Sequence, residues 1–223
     1  MPSRNIVKQY VEGGYYHVYN RGVERRLLFI DSQDYFVFLK YLKSYLTDEP
    51  VFGSGRSRPN LSDRVQVLAF CLMPNHYHLL LHQNSISGVT ELIRRVMTGY
   101  SLYFNQRYGR VGTLFQAHFK AASITTDEYL MHVSRYIHLN PLGIGAGPES
   151  YRFSSLQYYK SQAPGWLDVA PVLNLFEGPD EYLQFVRDLS NDSEAVLGDM
   201  ALDALQVRPV ERSDLSESFA LAK

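Results

Sequence analysis

The chain has 223 residues, of which 45% are hydrophobic and 20% are charged, a balance that excludes a disordered, collagen-like or low-complexity protein. It has one cysteine, Cys71, which excludes an internal disulfide framework and a cysteine-based zinc cage. Residues 1–160 carry 18 Lys and Arg against 11 Asp and Glu, whereas residues 161–223 carry 4 against 12. This asymmetry indicates either an anionic partner for the basic body or two differently solvated surfaces.

No targeting or membrane segment is predicted. The first ten residues, MPSRNIVKQY, lack the apolar core of a signal peptide, and no stretch approaches 18 consecutive apolar residues. We therefore expect a cytoplasmic protein with no membrane span.

The first part of the chain predicts a strand and then a helix. Residues 15–19 (YYHVY) alternate and are rich in aromatic and branched side chains, which is typical of a strand. Asp31 is predicted to cap a helix that ends before Pro50. Residues 53–63 are rich in Gly, Ser and Arg and predict a polar loop.

The middle of the chain predicts a hairpin and a long helix. Residues 65–72 and 76–82 have the composition of strands, and the Met73-Pro74-Asn75 turn between them favours an antiparallel pair. Apolar residues then recur at helical spacing over residues 89–104, and Gly109 ends that helix.

Beyond this helix, residues 113–124 predict a fourth strand. Thr125 and Glu128 have the spacing of a capping box, and Pro141 predicts that the helix they open ends next to Asn140. A last helix is predicted over residues 179–189, before a weakly periodic acidic end.

The order strand, helix, strand, strand, helix, strand matches the split β-α-β-β-α-β arrangement. We therefore predict an α+β, ferredoxin-like fold for a domain of residues 1–160. Within this domain, the helix that ends next to Asn140 follows the last of the six elements. Residues 161–223 are predicted to form an acidic, mostly helical extension.

His76 and His78 form the first candidate site. Alternate residues of a strand face the same side, roughly 6–7 Å apart, so the two imidazoles can converge on one divalent ion. The alternative is that both histidines only pack on a sheet face.

Tyr136 and Asn140 form the second candidate site. Residues four apart lie on one helix face, where a tyrosine offers a nucleophilic hydroxyl and an asparagine an oxygen ligand. The alternatives are a packing tyrosine, one of 17 in the chain, and an asparagine that only ends a helix.

A third pattern interleaves basic and aromatic residues. Cationic tracks with stacking aromatic rings hold single-stranded nucleic acid, although solvated helix faces and an aromatic core explain the same pattern. The candidate contacts are Arg21, Arg25, Arg26, Arg94, Arg95 and Lys120.

Five segments together resemble the single-tyrosine transposases of small bacterial insertion sequences, and most of all their REP-associated relatives. They occur in that family's order and spacing between about residues 13 and 160. The segments are YYHVYNRG (15–22), FIDSQDYFVFL (29–39), AFCLMPNHYHLLL (69–81), GTLFQAHFK (112–120) and RYIHLNP (135–141).

The resemblance implies a metal-dependent endonuclease and strand transferase that acts on hairpin-associated single-stranded DNA. It implies that Tyr136 attacks the scissile phosphate and forms a 5′-phosphotyrosine, and that His76, His78 and Asn140 hold Mg²⁺ or Mn²⁺. His138, which points away from Tyr136 around the helix, is the less favoured ligand. The resemblance leaves open a monomer or a homodimer, and it implies a cytoplasmic, nucleoid-associated protein.

Three rival functions are weighed against this one. A catalytically inactive, sequence-specific DNA- or RNA-binding module on the same fold would not need the His pair, Tyr136 and Asn140 together. Replication initiators and relaxases differ in motif order. A hydrolase using only the His pair would survive loss of the Tyr136 hydroxyl.

Overall fold

A computed structural model describes residues 10–48, 58–161 and 163–188 of the chain. Within these ranges the strands form a four-stranded antiparallel sheet. The strands are β1 (Gly14–Arg21), β2 (Val65–Met73), β3 (His76–Gln83) and β4 (Lys120–Ile124). Their order in space is β2-β3-β1-β4, which places β3 and β1 at the centre.

Helices cover both faces of this sheet. In the described ranges they are α1 (Ser32–Leu46), α2 (Gly88–Arg107), α3 (Asp127–Leu139), α4 (Leu156–Lys160), α5 (Ala170–Leu173) and α6 (Pro179–Arg187), with 3-10 turns at Val23–Arg25 and Asn140–Ile144. Because α1 follows β1 and α2 follows β3, the predicted ferredoxin-like α+β fold is confirmed. Among the residues described, no helix has the length and apolar character needed to cross a membrane.

Side-chain alternation along the strands divides the core into two parts. Tyr77 and Val18 are buried in the part that packs against α1 and α2. Leu80 and Ala122 are buried in the other part, beneath α3 and the helices that follow it. Since Tyr77 fills the first part, the histidines on either side of it face α3.

The cap predicted for α1 is confirmed. The Asp31 carboxylate accepts hydrogen bonds from the backbone of the first turn, and the Asp34 carboxylate accepts one from the backbone N–H of Asp31. Asp34 is fully buried and also accepts hydrogen bonds from the Tyr103 and Tyr108 hydroxyls and from Arg107. The start of α1 is thereby joined to the end of α2.

The prediction of a strand from residue 113 is wrong for residues 113–119, because β4 begins only at Lys120. The Asn20 side chain donates to the carbonyl oxygen of Ala117 (3.1 Å) and takes the place of a ladder bond. The backbone N–H of Gln116 donates to the carbonyl oxygen of Arg21 (2.9 Å). Gly22 and Phe115 form an isolated antiparallel bridge, so the chain still pairs beside the end of β1 and leaves the ladder only between this bridge and Lys120.

The cap predicted for α3 is wrong by one residue. Thr126, not Thr125, precedes the helix, and its hydroxyl accepts a hydrogen bond from the backbone N–H of Tyr129 (3.1 Å). The predicted end of the helix is confirmed, since Asn140 is its C-cap and Pro141 follows.

The start of the predicted extension packs on the sheet. Tyr182 and Val186 of α6 are buried with Tyr159 of α4 and Val133 of α3. A division of the chain at residue 160 stays a prediction. The acidic segment from residue 189 onward and the first part of the polar loop predicted over 53–63 lie outside the described residues.

A buried hydrogen-bond network holds α3 against its neighbours. His138 Nδ1 lies 2.6 Å from the Tyr182 hydroxyl and its Nε2 lies 2.8 Å from the Ser155 hydroxyl. Ser155 in turn binds both backbone groups of Phe70 on β2, and Tyr182 donates to Ser134 (3.1 Å). The His138 side chain therefore packs α3 against Tyr182 and Ser155, and both of its ring nitrogens are used there.

We expect the free energy of unfolding to fall as the pH drops from 7.5 to 5.5. Burial lowers the pKa of His17 and of His138 to about 3 and that of His76 to about 4. Below pH 6.5 the unfolded chain takes up protons that these folded histidines do not, which costs about 1.4 kcal/mol per pH unit for each histidine.

Urea unfolding in EDTA at pH 7.5, 6.5 and 5.5 measures this loss. The His138→Gln variant is expected to show a shallower decline, because one of the buried histidines with a lowered pKa is gone. A free energy of unfolding that stays flat over this range would contradict the prediction.

Candidate active site

His76 and His78 lie at the start of β3, on the face toward α3. The register of the central strands places Arg21 opposite His76 and Tyr19 opposite His78. The two imidazole rings are 5.0 Å apart between centroids, and both side chains are buried. The spacing of two residues therefore brings the two rings side by side on one face of the sheet.

Tyr136 projects from α3 onto these rings. Its ring meets the His78 ring edge to face, with centroids 5.5 Å apart, and meets the His17 ring in the same way at 5.8 Å. The side chain is half-buried, so part of it is exposed to solvent. The structure thus places the predicted nucleophile beside the predicted metal ligands of the same chain.

Asn140 completes the group at the end of α3. Its Nδ2 donates to the carbonyl oxygen of Tyr136 (2.8 Å), which fixes the amide one turn after the tyrosine. Burial lowers the pKa of His76 and raises that of Tyr136, and the Asn140 side chain, a hydrogen-bonding neighbour of both, opposes each shift. All four residues predicted to carry the chemistry are therefore brought together.

The electrostatics of the pocket favour neutral groups. Burial, with smaller effects from His76 and His17, lowers the pKa of His78 well below its usual value. Burial also raises the pKa of Tyr136 above its usual value of 10.0, against the smaller effect of Asn140. At neutral pH the site therefore holds uncharged imidazoles, which are able to bind a metal, and a protonated phenol.

The structure adds two residues to the site that the sequence analysis does not single out. His17 on β1 has its Nε2 2.9 Å from Nδ1 of His78. Asn75, in the turn before β3, has its Oδ1 2.7 Å from Nδ1 of His76. The alternation in YYHVY was a signal for His17, because it puts His17 on one face with Tyr15 and Tyr19, but only the strand register shows which face that is.

The donor set fits a divalent cation. Nε2 of His78 is buried without a hydrogen-bond partner, which is costly for a polar atom unless something binds it there. In the part of the chain that the structure describes, no three His, Cys, Asp or Glu side chains are grouped as metal ligands. A third protein ligand must therefore be another donor, and the amide oxygen of Asn140 suits Mg²⁺ or Mn²⁺.

The predicted basic contacts fall into three groups. Arg21 and Lys120 lie on the face of the site, where Arg21 binds Gln116 and Lys120 lies over the Tyr19 ring (5.7 Å). Arg25 and Arg26 are in and just after the turn that follows β1. The remaining two, Arg94 and Arg95, lie on α2, which covers the opposite face of the sheet.

This separation predicts unequal contributions to DNA binding. Arg21→Ala is expected to remove a phosphate contact and to lower the slope of log Kd against log salt for single-stranded hairpin DNA by about 0.7 to 1. Arg94 is exposed on the far face, so Arg94→Ala is the matched control and should leave the slope unchanged. Fluorescence anisotropy at several salt concentrations measures both, and equal losses in the two variants would contradict the prediction.

Two comparisons with known proteins bear on this site. Residues 57–140, which contain both histidines, Tyr136 and Asn140, match the family model of the IS200-like transposases. A solved REP-associated tyrosine transposase bound to a REP hairpin has the same fold, with a TM-score of 0.56 and 15% sequence identity, over 75% of this chain and 93% of that one. The comparison with curated proteins gave no significant match. The resemblance inferred from the sequence is thereby confirmed: residues 57–140 of the chain are similar to the IS200-like transposases, and its fold is that of the REP-associated transposase.

Proposed function

We propose that the protein is a metal-dependent single-stranded DNA endonuclease and strand transferase in which Tyr136 is the nucleophile. The observation that carries this proposal is the packing of the Tyr136 ring on His78, with Asn140 as the shared neighbour of Tyr136 and His76. A tyrosine that served only for packing would not need two neutral imidazoles and an amide oxygen around its ring.

In this proposal the Tyr136 oxygen attacks a phosphorus of the DNA backbone. The new bond joins that oxygen to the 5′-phosphate, the bond from phosphorus to the 3′-oxygen breaks, and the phenol proton ends on the released 3′-hydroxyl. One phosphodiester is exchanged for another, so the step needs no nucleotide cofactor, and its reversal rejoins strands.

His76, His78 and Asn140 would hold the divalent ion of this site. When bound, Mg²⁺ or Mn²⁺ would act as a Lewis acid that polarises the phosphate and offsets its charge. The protein contributes the rest. Burial keeps the two imidazoles neutral, and α3 holds the phenol against them.

Hairpin-associated DNA is the substrate we propose. The structurally similar transposase is bound to a REP hairpin, and this chain has Arg21 and Lys120 on the same face as Tyr136. Because Tyr136 lies against His78 of its own chain, a monomer, or each subunit of a homodimer, would act with its own tyrosine. A cytoplasmic, nucleoid-associated location accords with such a substrate.

A denaturing gel with hairpin oligonucleotides tests the proposal. The hairpins come from the palindromes that flank the gene, each with a single-stranded arm labelled at either its 5′ or its 3′ end, and each is incubated with Mg²⁺, Mn²⁺ or EDTA. We expect a covalent protein–DNA band that carries only the 3′-end label and is absent in EDTA. A band carrying the 5′-end label would contradict the 5′-phosphotyrosine, and binding without cleavage under all conditions would favour the inactive DNA-binding protein.

A further inference from the structure

We propose that His17 and Asn75 are positioning residues that fix the tautomers of His78 and His76, so that both rings present an unprotonated Nε2 to the metal. A neutral imidazole carries its proton on either Nδ1 or Nε2, and only the nitrogen without the proton can bind a metal. The inference concerns these two outer residues, and its metal-binding part rests on the function proposed above.

Asn75 settles the tautomer of His76. Nδ2 of Asn75 donates toward the carbonyl oxygen of Arg25 (3.4 Å), so the amide oxygen is the atom that faces the ring. That oxygen lies 2.7 Å from Nδ1 of His76 and can only accept a hydrogen bond. The His76 proton is therefore on Nδ1, and its Nε2 carries a lone pair.

The turn holds Asn75 in this position through its backbone as well. The carbonyl oxygen of Asn75 accepts a hydrogen bond from the backbone N–H of Gly22 (2.9 Å), directly after β1. The side chain of Asn75 is buried, with 4% of its surface exposed. The acceptor for His76 is thus held by Gly22 and Arg25, which follow β1 at the same end of the central strand pair.

His17 acts on His78 in the same way. Nε2 of His17 lies 2.9 Å from Nδ1 of His78, inside the sheet face, and the two rings stack with centroids 5.1 Å apart. Two arrangements of one proton are possible between these nitrogens. If His17 donates, the His78 proton moves to Nε2, where the structure offers it no partner, because this atom is buried and unpaired.

The other arrangement gives the His78 proton a partner. With the proton on Nδ1 of His78, His17 accepts through Nε2, and the unpaired Nε2 of His78 is a lone pair facing the pocket. An unsatisfied buried donor costs about 1–3 kcal/mol, which favours this second arrangement. In both ligand rings, Nδ1 then donates a hydrogen bond to an acceptor that orients the ring, as is usual for metal-binding histidines.

The test uses the full chain and two variants at residue 17 of nearly equal size. His17→Gln keeps an acceptor near the place of Nε2, whereas His17→Met removes it. Long-range ¹H–¹⁵N NMR of the metal-free protein shows which ring nitrogen of His78 carries the proton, with the His78 signals identified by their loss in His78→Ala. Calorimetric titration with Mn²⁺ alone then gives the metal affinity of each chain.

We expect an unprotonated Nε2 on His78 in the unaltered protein and in His17→Gln. In His17→Met we expect a mixture of tautomers and a Kd for Mn²⁺ that is about 10- to 100-fold higher, with His17→Gln close to the unaltered value. Asn75→Leu and Asn75→Asp form the corresponding pair for His76.

The two readouts separate the possible failures. A proton on Nε2 of His78 in the unaltered protein would overturn the role of His17 even if His17→Met failed to fold. Equal Mn²⁺ affinities in folded His17→Met and His17→Gln would overturn it as well. Absence of Mn²⁺ binding by a protein whose His78 has a bare Nε2 would instead overturn the metal site of the proposed function.

Discussion

Tyr136→Phe is expected to abolish the covalent protein–DNA adduct while the chain still folds and binds hairpin DNA. The substitution removes only the hydroxyl oxygen and keeps the ring that packs on His78 and His17. Loss of a covalent nucleophile typically lowers the rate by about 10⁴-fold or more, so no adduct should be seen on the time scale of the assay. Quantifying the adduct band over time measures the loss.

The matched control for this substitution is Tyr129→Phe. Tyr129 lies on the same helix, seven residues before Tyr136, and packs at the edge of the same core. Removing the Tyr129 hydroxyl should leave the amount of adduct equal to that formed by the unaltered chain. If Tyr136→Phe still forms the adduct, another tyrosine is the nucleophile. If it releases free 5′-phosphate ends instead, water attacks, and the His pair belongs to a hydrolase.

His78→Ala and His76→Ala are expected to remove stabilisation of the protein by Mn²⁺. A ligand present at 100 times its Kd stabilises the folded state by about 2.7 kcal/mol, and for a chain of this size each 1 kcal/mol moves the Tm by about 2–4 °C. We therefore expect Mn²⁺ to raise the Tm of the unaltered chain by about 5–10 °C. Neither variant should respond, because two protein ligands do not hold the ion.

His82→Ala is the control for these two variants. His82 lies on the same strand and the same sheet face, four residues after His78, where it stacks on Tyr15 and binds Gln66. Its removal should leave the Mn²⁺-dependent rise in Tm intact. A rise that persists in His78→Ala, or one that disappears equally in His82→Ala, would contradict the metal site.

The parts of the site that local spacing determines could be predicted from the sequence. The spacing of two residues between His76 and His78 puts both on one strand face, and the spacing of four between Tyr136 and Asn140 puts both on one helix face. The capping residue Asp31 and the turn at Pro74 and Asn75 are equally local, and they fix the elements that carry the site.

The contacts that depend on strand register could not be predicted. His17 and His78 are 61 residues apart, and their hydrogen bond exists only because β1 and β3 pair with Tyr19 opposite His78. A shift of one residue would have turned His17 into the opposite core. For the same reason the separation of Arg94 from Arg21 by the thickness of the sheet is not visible in the sequence.

The two local errors also have physical causes. Residues 113–119 have the composition of a strand, but the Asn20 side chain donates to the Ala117 carbonyl oxygen, and continuous pairing with β1 begins only at Lys120. Thr125 and Thr126 are both good caps, and the geometry of the chain at the end of β4 selects Thr126. The residue pattern alone predicts neither the hydrogen bond of Asn20 nor the use of Thr126 as the cap.

The most direct test of the account is to identify the residue that carries the DNA. The adduct formed with a hairpin substrate and Mn²⁺ is digested with nuclease and protease, and the nucleotide-bearing peptide is sequenced by mass spectrometry. We predict a single modified peptide that contains RYIHLNP, with the nucleotide joined through its 5′-phosphate to Tyr136. Attachment to any other residue, or through a 3′-phosphate, would contradict the central claim that Tyr136 beside the His pair performs the cleavage.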